Sequence, residues 1–356
     1  MKKPILFLIA VFFYTTQQAQ SPIRYHTIEN LSILGRAFPT QTIYQRFPDS
    51  LASFLRLPVW QLSKNATGLA VYFETNSKQL SAKWKTGATT SFPHVANTLV
   101  KGLDLYALDH DQWYYVGIGK PNQAVYQEAS IVKELDGSSR TYLLYLPDYE
   151  TIDSLLIGID STAFLQNSSH SDFTKHKPIV FYGTSIVQGA SAMRSGMAYP
   201  AIIERQLKTE TINLGFSGNG QLDSMLAVIM SKIDASCYVI DCGPNLSPQQ
   251  AKERTLPFLK QLKQLSPNTP ILLIEQINYP TARFVSSVDE KIKLINKHFA
   301  EAFETLQKEG VTGIYYLPAK GLIGEDGEAT VDGVHLTDLG FYRMAQSIIK
   351  KLNTIL

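Results

Sequence analysis

Ser185 is the first of several polar residues with which this sequence could carry out acyl-transfer chemistry. It ends the motif GTS, directly after the apolar run PIVFY. A serine hydroxyl is a weak nucleophile until a base accepts its proton, and His335, in the motif DGVH, suits that role because imidazole titrates near working pH. Asp332 lies three residues before His335, so a helical turn there would place both side chains on one face. The three side chains predict a Ser-His-Asp triad.

Acyl transfer also needs hydrogen-bond donors at the developing oxyanion. The backbone N–H groups of Ser185 and Gly218, the latter in FSGNG, are two candidates, and the side-chain amide of Asn245, in GPN, is a third. Losing one such donor typically costs about 3–4 kcal/mol of transition-state stabilisation. The three motifs therefore predict an oxyanion hole.

The second half of the chain alternates apolar strands with helical segments. Five runs are typical of buried strands: PIVFYG, TINLGF, CYVIDCG, PILLIEQI and GIYYLPA. Helices are predicted near residues 199–207, 223–232, 249–265, 288–308 and 338–352. This alternation predicts a parallel sheet with helices on both faces. Because ligands bind at the carboxyl ends of parallel strands, we expect the polar motifs to meet at one sheet edge.

The first half, up to about residue 160, is rich in short strand patterns. The runs GLAVYFET, LSAKWKT, GLDLYALD, WYYVGIG and RTYLLYLP contain many β-branched and aromatic residues and are separated by turn residues. An antiparallel β-sandwich is the simplest architecture for this pattern. We expect a sandwich domain over residues 21–165, a polar linker over 166–177 and an α/β domain over 178–356.

The charge balance gives no reason to expect a nucleic-acid partner. The chain has 33 basic and 31 acidic residues, and removal of Lys2 and Lys3 would leave 31 of each. A neutral protein has no electrostatic attraction to a phosphate backbone.

The N-terminus has the features of a signal peptide. Two lysines precede the apolar run PILFLIAVFFY and the polar tail TTQQAQ. The apolar run is short for a bilayer span. We expect residues 1–20 to be removed near Ala19 and Gln20, leaving a secreted or periplasmic protein with no membrane span.

The cysteines and metal-ligating residues offer no cofactor chemistry. Cys237 and Cys242 are the only cysteines, and in a strand they would point to opposite faces and not form a disulfide. No cluster of metal-ligating residues is evident in the sequence. We therefore expect two buried thiols and neither a metal nor a cofactor.

The motifs GTS, FSGNG, GPN and DGVH resemble the four blocks of the SGNH, or GDSL-type, hydrolases in order and spacing. The string YGTSIVQGASAMRSGMAYP resembles a bacterial subgroup with an added N-terminal β-domain. The resemblance implies a flavodoxin-like three-layer α/β domain with a five-stranded parallel sheet, preceded by a jelly-roll-like antiparallel β-sandwich. It also implies that Ser185, Asp332 and His335 are catalytic, and that Ser185, Gly218 and Asn245 form the oxyanion hole.

Two positions depart from the usual blocks. Thr184 stands where the first block usually has Asp, and Leu246 stands where the third usually has Asp after its Asn. We interpret the first as a local change of hydrogen bonding, and the second affects only contacts of the missing carboxylate.

Several other residues have two interpretations each. Arg194 and Asn219 are candidate substrate contacts, although Arg194 could equally form a structural salt bridge. Glu275 could orient a site residue, although a structural carboxylate is the default. The aromatic residues of the first half could form a sugar platform, although aromatics in strands are more often core: Trp60, Trp84, Trp113, Tyr114 and Tyr115.

The expected function is ester hydrolysis through a serine acyl-enzyme, on a small-molecule or polysaccharide ester. A short acyl group, above all acetyl, on a carbohydrate is favoured by analogy. The alternatives are a lipase or thioesterase for longer acyl chains, a non-catalytic carbohydrate-binding protein, and a nucleotide- or flavin-binding module using the 183–191 loop. The last would leave Asp332, His335 and Asn245 without a role.

Overall fold

The computed structural model describes residues 22–87, 92–122, 124–170 and 172–356. The predicted signal peptide lies outside these residues. Within them, no helix is both long and apolar enough to cross a bilayer.

The first half folds into antiparallel strands, as the sequence predicts. The strands are β1 Ile23–Thr27, β2 Ser32–Leu34, β3 Ala70–Thr75, β4 Leu80–Thr86, β5 Leu103–Asp109, β6 Gln112–Gly119, β7 Tyr126–Val132, β8 Arg140–Tyr145, β9 Ile152–Asp160 and β10 Leu165–Asn167. Two short helices, α1 (Leu57–Leu62) and α2 (Asn97–Val100), interrupt them.

These strands form two sheets that pack face to face. One has the order β1-β9-β4-β7, and the other has the order β10-β3-β8-β5-β6, with β2 also pairing with β3. Alternating apolar residues of both sheets meet in a buried cluster that includes Val71, Leu144, Trp84 and Ile157. Burial of this alternating apolar face is what stabilises a sandwich.

The second half is a parallel α/β unit. Its strands are β11 Ile179–Gly183, β12 Thr211–Gly215, β13 Cys237–Asp241, β14 Ile271–Ile274 and β15 Ile314–Leu317. Its helices are α3 Ser185–Gln188, α4 Tyr199–Leu207, α5 Ser224–Met230, α6 Pro248–Leu265, α7 Ser286–Lys308 and α8 Asp338–Leu352. The five strands are parallel in the order β12-β11-β13-β14-β15, which is the flavodoxin-like arrangement. The predicted fold class is confirmed.

The two halves share hydrophobic cores. Phe47, Leu55 and Val59 of the first half lie in one buried cluster with Tyr182 and Leu214 of the parallel sheet. The predicted linker packs on the sandwich, because its Phe173 is buried in a cluster with sandwich residues.

A buried arginine also joins the halves. Arg46 is 1% exposed, and its guanidinium donates to the carbonyl oxygens of Asn213, Gly215 and Leu62 at 2.6–3.0 Å. These contacts connect the first half of the chain to the end of β12, which directly precedes the FSGNG motif.

Candidate active site

Ser185 begins α3 directly after β11, at the carboxyl edge of the sheet. The Thr184 hydroxyl accepts a hydrogen bond from the backbone N–H of Ile186 at 3.2 Å, so Thr184 is the N-cap of this short helix. Thr184 is fully buried and Ser185 is 6% exposed. The residue that replaces the usual Asp therefore holds the turn on which Ser185 sits.

The predicted triad residues lie within hydrogen-bond distance of one another. Ser185 Oγ lies 3.0 Å from Nε2 of His335, and Nδ1 of the same ring lies 2.8 Å from Oδ2 of Asp332. His335 can accept the Ser185 proton at Nε2 while Asp332 holds the proton on Nδ1, which is the arrangement that activates a serine.

Asp332 and His335 lie in a turn and not in the helical turn that their spacing suggested. Oδ1 of Asp332 accepts the backbone N–H groups of Val334 at 3.0 Å and His335 at 2.8 Å. Burial raises the pKa of Asp332, but hydrogen bonds from the His335 ring and from these two N–H groups outweigh it and lower the pKa to about 2. Asp332 is thus ionised throughout the neutral range.

The three oxyanion candidates face the same edge. Ser185 lies at the N-terminus of α3, where backbone N–H groups lack helical partners. Gly218 is exposed with φ +70°, in the left-handed region that favours glycine. Oδ1 of Asn245 accepts the backbone N–H of Gly220 at 3.2 Å, and its Nδ2 has no partner within the described part of the chain.

The loop that carries Gly218 packs tightly against the end of β11. A Cβ at Gly220 would lie 2.2 Å from the carbonyl oxygen of Gly183, so this approach requires glycine. Gln188 of α3 accepts the backbone N–H of Ser217 at 2.9 Å. These contacts fix the loop relative to Ser185.

The same motifs and folds occur in known proteins. The profile of the GDSL-like lipase/acylhydrolase family matches residues 176–353, and a profile of the N-terminus of SGNH-hydrolase-type esterases matches residues 23–165. A GDSL-like lipase candidate from Bacteroides ovatus is 36% identical with a TM-score of 0.90, over 94% of this chain and 98% of that chain.

The chain belongs to the GDSL-like lipase/acylhydrolase family. It is an ester hydrolase of the SGNH type, as the motifs indicated.

More distant structures share the fold of this SGNH hydrolase. The salicylyl-acyltransferase SsfX3 of a tetracycline biosynthetic pathway is 17% identical with a TM-score of 0.75, over 93% of this chain and 97% of that chain. An acetyl xylan esterase from the rumen bacterium Butyrivibrio proteoclasticus is 11% identical with a TM-score of 0.58, over 94% and 98%. No curated protein matches the chain.

Arg194 of the hydrolase forms a buried salt bridge. Its guanidinium contacts the carboxylate of Asp104 in β5 at 2.8 Å and stacks 4.2 Å from the ring centre of Tyr115. The Asp104 side chain is 1% exposed. These contacts agree with the interpretation of Arg194 as part of a structural salt bridge. A substrate contact by Arg194 stays a prediction.

Asn219 is engaged by the first half of the chain. Its Oδ1 and its carbonyl oxygen accept from Arg56 at 2.8 and 2.9 Å, and its Nδ2 donates to the carbonyl oxygen of Ser217. Asn219 also lines a cavity of about 500 Å³ together with Ser217, Phe92 and Tyr149. A direct substrate contact by Asn219 stays a prediction.

Glu275 and the cysteines have structural contacts. Glu275 accepts from the Tyr316 hydroxyl and from the backbone N–H of Ala319, which ties β14 to the loop after β15. Cys237 and Cys242 are free and buried, as expected from their spacing.

The aromatic residues considered for a sugar platform divide into two groups. Trp84 is buried, and its indole N–H donates to the carbonyl oxygen of Lys101. Trp60 and Trp113 pack against hydrophobic clusters. Tyr114 and Tyr115 are about half exposed on β6. The tryptophans therefore belong to the core and its margins.

Two residues that contact the predicted triad could not be identified from the sequence pattern. His94 stacks on His335 with ring centres 4.9 Å apart and planes at 25°. The Tyr149 hydroxyl donates to the carbonyl oxygen of Ser185 at 3.4 Å. Both belong to the first half of the chain, and nothing in local spacing connects them to Ser185.

Two groups in the described chain have ligand atoms close enough to share a metal ion: His94, Asp332 and His335, and Asp111, His170 and Asp172. A cation on the first group would compete for the His335 nitrogens that already bond Ser185 and Asp332. The absence of a metal requirement stays a prediction.

Proposed function

We propose that this hydrolase removes short acyl groups, acetyl first of all, from a carbohydrate through a Ser185 acyl-enzyme. The contact that carries the proposal is the 3.0 Å approach of Ser185 Oγ to Nε2 of His335, whose Nδ1 lies 2.8 Å from Asp332. An aligned hydroxyl, imidazole and carboxylate are what nucleophilic catalysis by serine requires.

In the first half-reaction, Ser185 Oγ attacks the ester carbonyl carbon as Nε2 of His335 takes the hydroxyl proton. The carbonyl oxygen becomes an oxyanion, and the N–H groups of Ser185, Gly218 and Asn245 stabilise it. When the intermediate collapses, the carbon–oxygen bond to the alcohol breaks and His335 gives its proton to the departing alkoxide. Asp332 stabilises the imidazolium formed between these two transfers.

In the second half-reaction, water attacks the acyl-enzyme. His335 takes a proton from the water, and the oxyanion forms again at the same donors. Collapse breaks the bond to Ser185 Oγ, which regains its proton from His335, and the carboxylic acid leaves. His335 has released each proton that it took up, so the protein returns to its starting state.

The short acyl group and the carbohydrate are supported by fold relatives and by a cavity next to the FSGNG loop. Among proteins of the same fold are an acetyl xylan esterase and a family two carbohydrate esterase in complex with cellohexaose. The cavity beside Ser217 and Asn219 has a volume of about 500 Å³, within the range of small-molecule sites. The residues on either side of Gly218 line this cavity, so a sugar ring bound there would lie next to the FSGNG loop.

The test is the release of p-nitrophenol from acetate, butyrate and octanoate esters, followed by acetate release from acetylated xylan. We expect Ser185→Ala to abolish turnover and Ser224→Ala, on α5, to retain it. Acetate is expected to be the best of the three esters. Full activity of Ser185→Ala would contradict the acyl-enzyme, and preference for octanoate would favour a lipase.

We also propose that residues 1–20 direct export. Support comes from the two lysines, the apolar run and the polar tail. Mass spectrometry of the protein made in a bacterial host is expected to show a new N-terminus near Gln20. An intact Met1 in the exported fraction would contradict this.

A further inference from the structure

His94 reaches the active site from the first half of the chain, on a segment held at three points. Its carbonyl oxygen accepts the hydroxyl of Ser191 at 3.0 Å. Phe92 packs edge-on to Tyr149 at 5.6 Å, and Val95 is buried in the cluster that contains Ile186 of α3. The segment is therefore fixed relative to Ser185.

The His94 ring itself makes no hydrogen bond within the described part of the chain. It covers one face of His335, with ring centres 4.9 Å apart and planes at 25°. A ring nitrogen of His94 also lies within 4.8 Å of ligand atoms of both Asp332 and His335. Hydrogen bonding within the protein thus does not explain the placement of this ring.

His335 lies in a turn, so its ring is not held by a regular helix. Ser185 and Asp332 bond its two nitrogens and fix them within the ring plane. These two hydrogen bonds only weakly restrain rotation of the His335 ring out of its plane. The flat His94 ring, packed on one face of His335, opposes that rotation. An aromatic face also stabilises a cation placed over it, and His335 is a cation each time it carries the Ser185 proton.

We propose that His94 is a positioning residue that acts through His335, by restraining its ring and stabilising its imidazolium form. The first half of the chain thereby completes the catalytic site. The kinetic part of this proposal rests on the proposed esterase function.

The test compares His94→Phe, which keeps a flat aromatic ring, with His94→Leu and His94→Ala, which do not. All variants are assayed at the same pH. We expect His94→Phe to keep kcat within about twofold, and the other two to lose about fivefold to thirtyfold. KM is expected to change less than about twofold in all three. His110→Ala, an exposed histidine on the same half, is the matched control.

A second variant probes the support of the segment. Ser191→Ala removes the hydrogen bond to the His94 carbonyl oxygen. We expect it to lower kcat in the wild-type background and to have no further effect in the His94→Ala background. Equal losses in both backgrounds would contradict the coupling of Ser191 to His94.

A spectroscopic measurement tests the stacking of His94 on His335 without depending on turnover. The Nδ1 proton of His335, held by Asp332, is expected to give a downfield proton resonance that persists in wild type and His94→Phe and broadens in His94→Ala. If Ser185→Ala is fully active, the proposed function fails, yet this comparison still tests the stack. Folded His94→Phe as slow as His94→Ala, or a loss confined to KM, would overturn the proposal.

Discussion

Oδ1 of Asn245 accepts the backbone N–H of Gly220 at 3.2 Å, and this one bond decides which way the amide points. With Oδ1 engaged, Nδ2 is the part of the amide that is left to donate a hydrogen bond. The loop that carries one proposed oxyanion donor, Gly218, thus hydrogen-bonds the side chain of another, Asn245. Preorganised donors of this kind need no reorganisation as charge develops.

Asn245→Ala is expected to lower kcat about 100-fold to 1000-fold with little change in KM, because a donor to the oxyanion is lost. Steady-state kinetics on p-nitrophenyl acetate measures both constants. Asn268→Ala, in an exposed turn, serves as the control. A loss in KM alone would show that Asn245 binds the ground state instead.

Arg194→Gln is expected to destabilise the protein by about 3–5 kcal/mol, because the buried Asp104 carboxylate would lose its ion-pair partner and keep, within the described chain, only the N–H of Gly196 and the charge of Arg205. Adding Asp104→Asn should restore much of the loss. Urea denaturation measures the free energy of unfolding, and kinetics measures KM. An increased KM with unchanged stability would instead identify Arg194 as a substrate contact.

Thr184→Val is expected to cost about 1 kcal/mol of stability, because the N-cap hydrogen bond to Ile186 is lost while the side-chain shape is kept. We also expect a lower kcat, since Ser185 is the next residue. Thr184→Ser keeps the hydroxyl and should behave like wild type in the same denaturation experiment. Thr184→Val as stable as wild type would argue against the capping role.

Asp241→Asn is expected to stabilise the protein more at pH 8 than at pH 4. Asp241 is buried and accepts a hydrogen bond from the Tyr199 hydroxyl at 3.1 Å, and burial raises its pKa to about 7. The native state therefore keeps this proton while the unfolded state loses it, so stability falls as pH rises from about 4 to 7.

The difference between Asp241→Asn and wild type should grow across that range by on the order of 2–4 kcal/mol. Denaturation at several pH values measures it. Asp234→Asn, at an exposed salt bridge, should show no such growth. A constant difference at all pH values would mean that Asp241 is ionised in the native state.

Removal of divalent cations is expected to leave activity unchanged, because the hydrogen bonds to Ser185 and Asp332 use both ring nitrogens of His335. Added Zn²⁺ should inhibit by competing for the nitrogens of His335, and His94→Ala should weaken that inhibition. Assays after dialysis against EDTA, with and without added cations, measure both effects. Activity lost on dialysis and restored by one cation would contradict this.

The fold class and the four motifs could be predicted from the residues and their spacing. Strand and helix periodicity is local, so the five parallel strands and the helices after them could be placed from spacing alone, within a few residues. The order of Ser185, Gly218, Asn245 and His335 along the chain, each after a strand, also predicted a shared sheet edge. The predicted runs of the first half did not include β1, β2, β7, β9 and β10. For β2 and β10 the reason is that three residues carry too little pattern.

Which residues of the first half contact the second half became visible only in the folded chain. His94 and Arg46 contact the second half across long sequence separations, and such contacts leave no periodic signal. The tertiary structure also replaced the expected helical turn at Asp332 with a turn closed by Oδ1, since local side-chain hydrogen bonds compete with helix formation. The motifs identify the candidate catalytic residues, whereas the contacts of His94 and Arg46 depend on packing between the two halves.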